Sequence, residues 1–175
     1  MHELGLPFSV VESGHSEEVY PEGMQGGEIA RFLADHKSDA YTELLSPKQI
    51  LLTADTIVWQ HGKEVGKPGS RDEAIAMLNR LAGRTHQVFT GVCLRSAARR
   101  SSFYVSTDVR FSKLEPGEIE YYVDQFKPFD KAGAYGIQEW IGHVAVESIK
   151  GSYFNVMGLP VQKVYCELKK FIKAP

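Results

Sequence analysis

One carboxylate sits inside the most strongly β-forming run of this chain: Asp55, between Ile50-Leu51-Leu52-Thr53-Ala54 and Thr56-Ile57-Val58-Trp59. Branched and aromatic residues of this kind suit a pleated, half-buried strand. An ionised carboxylate in such a strand is costly unless another charge compensates it. The sequence offers a partner close by. After a turn at His61-Gly62, the segment Gly66-Lys67-Pro68-Gly69 presents Lys67 on a glycine-flanked turn only a hairpin away. Two readings fit this pattern: a site in which Asp55 and Lys67 handle a metal ion and phosphate, or an aspartate paired with a lysine to brace the fold.

The surrounding pattern alternates helices with strands. From Gly27 to about Leu45, Ile29, Phe32, Leu33, Ala40 and Leu44 fall on one helical face. Ser70 with Glu73 makes a capping box, Ala74, Met77, Leu78 and Leu81 supply the buried stripe, and Gly83 closes that helix. Gln87–Leu94 and Phe103–Phe111 read as strands joined by a polar turn over Ala97–Ser102. Arg84 and His86 stand at the mouth of the first of these, either to reach a ligand or as part of a solvated turn. Pro116-Gly117 open a helix to about Phe126, and Trp140–Ile149 reads as a further strand. A glycine-bounded loop over Gly151–Gly158 follows, and Pro160 starts a terminal helix with Val161, Val164, Leu168 and Phe171 inward. At the other end, Met1–Leu4 read as a last helical turn stopped by Gly5, and Phe8–Val11 as a strand. Several strand runs adjoin through short turns, so a mixed α/β sheet is expected, not an all-parallel one.

A chain of 175 residues suits one domain with a real core, and 43% apolar with 24% charged residues is ordinary for a globular protein. The formal charge of −2 gives no general attraction to nucleic acid or to an anionic membrane. An anionic ligand would have to be held locally, by a few placed cations. Cys93 and Cys166 lie far apart among apolar neighbours and read as buried thiols in a reducing cytosol, with a disulfide between them as the alternative, and no metal-type Cys/His spacing occurs. No apolar run is long enough for a membrane span, and the N-terminus does not read as a signal peptide.

Three ordered motifs carry a resemblance over nearly the whole chain. They are ADTIV (Ala54–Val58) with GKP (Gly66–Pro68) and the run through GRTHQVFTGV (Gly83–Val92), then DKAGAYGIQ (Asp130–Gln138), then GSYFNVMGLP (Gly151–Pro160). Together they resemble the Maf family of nucleoside triphosphate pyrophosphatases, and ADT with GIQ is similar to its pyrimidine-handling branch. The resemblance implies the fold shared with inosine-triphosphate pyrophosphatases: a curved mixed sheet with flanking helices, a cleft between two lobes, and a homodimer. It implies hydrolysis of dTTP and UTP to the monophosphate and pyrophosphate. Asp55 would be the proton acceptor, Asp55 and Glu18 would hold Mg²⁺ or Mn²⁺, Lys37 and Lys67 would contact phosphates, and Thr56 and Gln138 would select the base. By their own surroundings Glu18 is a solvated loop acid, Lys37 a solvated helix lysine, and the Gln138 segment a turn. A glutamine does offer the donor and acceptor that the imide edge of uracil or thymine requires.

Family members normally begin with a strand leading into a Ser-rich, Pro-Arg-Arg loop, which has no counterpart in this sequence. A single Maf-like domain without that first strand and loop is therefore expected, with slower turnover and an exposed sheet edge. The alternatives are a catalytically weak nucleotide-binding regulator linked to septum formation in cell division, and hydrolysis of purine triphosphates.

Overall fold

Period-two alternation in the aspartate-bearing run sets the architecture. The computed structural model describes residues 4–11, 19–41 and 45–173. Within it β1 (Leu51–Gln60) sends its odd residues toward α1 (Gly27–Asp39). The Thr53 hydroxyl donates to the Ala34 carbonyl at 2.7 Å, and Ile57 packs with Ile29, Ala30 and Leu33. The even residues face the other side. There Gln60 donates to the Arg80 carbonyl of α2 (Arg71–Leu81) at 3.3 Å, and Val58 joins Leu78, Leu81 and Val88 in the larger core. One strand thus serves two cores on opposite faces of the sheet.

The sheet runs β2-β1-β3-β4-β5, with β2 at Lys63–Val65, β3 at Thr85–Arg95, β4 at Arg100–Phe111 and β5 at Val146–Lys150. Every described pairing is antiparallel. The hairpin between β1 and β2 turns at His61-Gly62, with φ of 51° and 74°. Two consecutive positive φ values give the turn twist that two strands of this hand require. β2 is short and pairs only with Val58–Gln60. Among the described residues, the first half of β1 therefore has a neighbour on the β3 side alone. Helices α1, α2, α3 (Pro116–Phe126) and α6 (Val161–Lys173) flank the sheet, so the expected α/β architecture is present. Phe111, Ile119, Tyr122 and Ile141 complete the larger core.

Gly91 decides how close α1 comes. It lies opposite Asp55 in the β1–β3 register, and a Cβ there would stand 2.1 Å from the Ala30 carbonyl oxygen. Only glycine lets the helix backbone rest directly on the strand.

Several elements differ from the sequence expectation. Helix α1 ends at Asp39, and Leu44 lies outside the described residues. Phe8–Val11 form no strand, and Val10 is 83% exposed. The apolar run from Trp140 divides into a short helix, α4 (Trp140–Val144), and β5. A Cβ at Gly142 would meet the Ile137 carbonyl at 1.7 Å, so the chain folds too tightly there for a strand. The Gly151–Gly158 loop contains a single helical turn, α5 (Tyr153–Val156), capped by the Ser152 hydroxyl. At the start of α2 the Ser70 hydroxyl accepts from the Glu73 N–H as expected, but Glu73 accepts from Gly69 N and not from Ser70. Among the described residues no helix is long and apolar enough to cross a membrane.

Candidate active site

Where β2 stops, the edge of β1 opens into a cavity of about 320 Å³. Its wall takes Asp55 and Thr56 from β1, Lys37 from α1, Lys67 from the turn after β2, and Gln138 from the loop before α4. These residues were singled out in the sequence, and they converge from four separate segments. Glu18, the other expected metal ligand, lies outside the described residues.

Asp55 is 7% exposed. Lys37 makes an ion pair with it, its Nζ donating to Oδ1. Lys37 follows Ala30 and Ala34 at helical spacing, so the face that lies against the sheet is the face that carries the ammonium group. The bare backbone of Gly91 brings that face close. A structural consequence of one glycine is therefore an ammonium placed on the aspartate.

Lys67 arrives by another route. The Gly66 carbonyl accepts from Gly133 N at 2.9 Å, which ties the glycine-flanked turn to the loop over Asp130–Gln138. Gly133 has φ of 71°, and a Cβ on it would come within 3.1 Å of Val58. In that loop Lys131 pairs with Asp130 at 2.8 Å and with Glu139 at 3.3 Å. The Lys131 hydrogen bond holds the Asp130 carboxyl below its ordinary range, and Asp130 in turn holds the Lys131 ammonium up. Glu139 is fixed from behind by the Tyr122 hydroxyl, which also accepts from Gly136 N at 3.0 Å. Burial, then the bond to Glu139, push the Tyr122 phenol up. Tyr135, buried and likewise pushed up by desolvation, lines the wall beside Gly136.

The opposite wall is Val156, Met157 and Gly158, the end of the GSYFNVMGLP segment. Arg84 and His86 do not line the cavity. His86 turns inward instead, 2% exposed, with Nε2 2.8 Å from the Tyr135 hydroxyl. It braces the wall from the core side.

Three ammonium groups (Lys37, Lys67, Lys131) thus face two carboxylates (Asp55, Asp130) in a protein whose overall charge is −2. Among the lining residues cations outnumber carboxylates, with Glu139 standing behind Lys131, and a wall of this kind suits a polyanion. The acidic donors in the wall are oxygen alone, with no Cys or His, and among the described residues no three His, Cys, Asp or Glu converge. One buried carboxylate with a second at the rim suits a hard cation that keeps waters and shares a ligand's phosphate oxygens. It would not suit zinc.

Sequence reasoning did not single out Lys131, although DKAGAYGIQ contains it. Its place in the wall depends on Glu139 and Tyr122, which no local pattern brings together. Thr90 and Asn155, which stand behind Thr56, carried no signal either.

The family model described as Maf-like protein matches residues 1–171. The chain belongs to that family. Among curated relatives, one from Bacteroides fragilis is 54% identical over 167 residues, 95% of this chain and 86% of its own length. One from Bacteroides thetaiotaomicron is 50% identical over 170 residues, 97% of this chain and 88% of its own. One from Christiangramia forsetii is 47% identical over 158 residues, 90% and 81% respectively. Each of the three is named dTTP/UTP pyrophosphatase. The Maf signature motifs of this chain are therefore the segments that meet around one cavity.

Proposed function

We propose that this Maf protein hydrolyses dTTP and UTP to the nucleoside monophosphate and pyrophosphate. The observation that carries the reading is the meeting of Asp55 with Lys37, Lys67, Thr56 and Gln138 around one cavity. The names of relatives at about half identity point to the same reaction.

The roles follow from chemistry and placement. Asp55 takes a proton from a water that attacks the α-phosphorus, the bond from that phosphorus to the bridging oxygen breaks, and pyrophosphate leaves. Lys67 and Lys37 hold phosphate oxygens by charge-assisted hydrogen bonds, with Lys37 exchanging part of its contact with Asp55 for the substrate. Lys131, on the facing loop, adds a third cation. Thr56 and Gln138 meet the base. Asp55 and Glu18 would hold Mg²⁺ or Mn²⁺, which when bound neutralises phosphate oxygens as charge develops on them. A cytoplasmic homodimer belongs to the same reading: the free thiols Cys93 and Cys166 suit a reducing compartment, and the family likeness supports the dimer.

The test is release of pyrophosphate from dTTP and UTP with Mg²⁺. Asp55→Asn, which keeps the shape and removes the base, lowers kcat by roughly 10²–10⁴-fold. Nucleotide binding without pyrophosphate release, or an Asp55→Asn variant with undiminished turnover, removes the assignment.

A further inference from the structure

Thr56 does not face the cavity as an ordinary hydroxyl. Its Oγ1 lies 2.9 Å from Thr90 Oγ1 and 3.5 Å from the Gly158 carbonyl. Thr90 Oγ1 in turn lies 2.9 Å from the Asn155 carbonyl. Each hydroxyl has one proton to donate, so the three contacts cannot all be made at once. In one order Thr90 donates to Asn155 and Thr56 donates to Thr90, which makes two bonds of 2.9 Å. In the other two, Thr56 donates to Gly158 while Thr90 donates either to Thr56 or to Asn155, which makes one bond of 2.9 Å and one contact of 3.5 Å. The longer contact lies outside the range of a sound hydroxyl hydrogen bond. The first order prevails.

Thr90 and Asn155 are each 0% exposed, so solvent does not compete for the Thr90 proton. The Asn155 carbonyl is itself held in place. The Asn155 amide donates to the Val88 carbonyl and to Thr107 Oγ1, both at 3.0 Å, and its backbone N–H donates to Ser152 Oγ at 3.3 Å. A fixed acceptor at the end of the chain of hydroxyls orients every proton in it toward the core.

We propose that Thr90 and Asn155 are positioning residues whose relay leaves Thr56 Oγ1 a hydrogen-bond acceptor only, so that the cavity takes bases presenting an N–H there and rejects cytosine. Uracil and thymine carry a proton on N3, whereas N3 of cytosine is itself an acceptor and would face the Thr56 lone pairs. Two acceptors set against each other leave both unpaired on burial, which is how a site rejects a close analogue. This rests on the pyrimidine-triphosphate reading above, and adds the residues that make it selective between pyrimidines.

The test compares UTP, CTP and N3-methyl-UTP as substrates, and the binding of UMP, CMP and N3-methyl-UMP by calorimetry. The wild type is expected to favour the uridine compound over both others by about tenfold or more, the weight of one hydrogen bond of this kind. Thr90→Val, which removes the inner acceptor and frees the Thr56 proton, should shrink the UTP-to-CTP ratio toward unity, and Thr90→Ser should restore it. Pyrophosphate inhibition, which reads the phosphate side, should not follow the same pattern. Equal acceptance of the N3-methyl compound by the wild type overturns the proposal whether or not Thr90→Val folds. A folded Thr90→Val with its preference intact also overturns it. Selective UMP binding without any turnover supports the relay while counting against the hydrolase reading, and an absence of binding to all three monophosphates overturns both.

Discussion

His86 makes the stability of this fold fall in mild acid, by an amount that can be worked out. Its ring lies in the core against Phe111 and Tyr135, with centroid separations of 5.0 and 5.4 Å. Nε2 meets the Tyr135 hydroxyl, while Nδ1 has no partner among the described residues. Burial pushes its pKa down from 6.5 to about 4. Between those two values the unfolded chain binds a proton that the folded chain refuses, so stability rises with pH across the window and is lost as pH falls through it. The full difference is about 3 kcal/mol, at 1.36 kcal/mol for each unit, and roughly 2 kcal/mol of it has gone by pH 5. That is a large share of the total stability of an ordinary domain. The assay is urea unfolding at pH 7.5 and pH 5.0, for the wild type and for His86→Phe. The variant starts less stable because the Tyr135 hydroxyl loses its partner, so the quantity to compare is the change with pH in each protein. The wild type should lose roughly 2 kcal/mol more than the variant between the two values. The carboxyls of Asp124, Asp130 and Glu167, held low by Arg71, Lys131 and Lys170 respectively, are common to both proteins and cancel in the comparison. Equal pH dependence in the two proteins refutes the reasoning.

Two further substitutions probe how the cavity is held together. Gly91→Ala forces a methyl group onto the Ala30 backbone carbonyl at 2.1 Å, so α1 must lift. About 1–3 kcal/mol of stability should be lost in denaturant titration, and kcat/KM should fall with it because Lys37 moves with the helix. Lys131→Gln removes one of the three ammonium groups while leaving the Lys37–Asp55 pair alone. Inhibition by pyrophosphate should weaken by about tenfold, the worth of one hydrogen bond to a charged group, and an unchanged inhibition constant would make Lys131 a brace for Asp130 and Glu139 only.

The parts of this molecule that were legible in the sequence share a physical property: each is fixed by neighbours along the chain. Asp55 announced itself because a charge in a β-forming run is anomalous within ten residues, and Lys67 because glycine and proline mark a turn. The hairpin at His61-Gly62 and the hydroxyl cap at Ser70 are local in the same sense. The failures are equally consistent. Trp140–Ile149 is apolar whether it coils or extends, and the choice is made by the close approach of Gly142 to Ile137. His86 has the composition of a ligand-facing residue, and a tyrosine 49 positions away turns it into the core. Lys131 depends on Glu139 and through it on Tyr122. The deepest case is Thr56. Its presence in the site could be anticipated from a motif, but whether it gives or takes a hydrogen bond is set by Thr90, 34 residues later, and by a carbonyl at Asn155, a further 65 beyond. A motif marks which side chains arrive at a cavity; the direction of their protons is a property of the packing behind them.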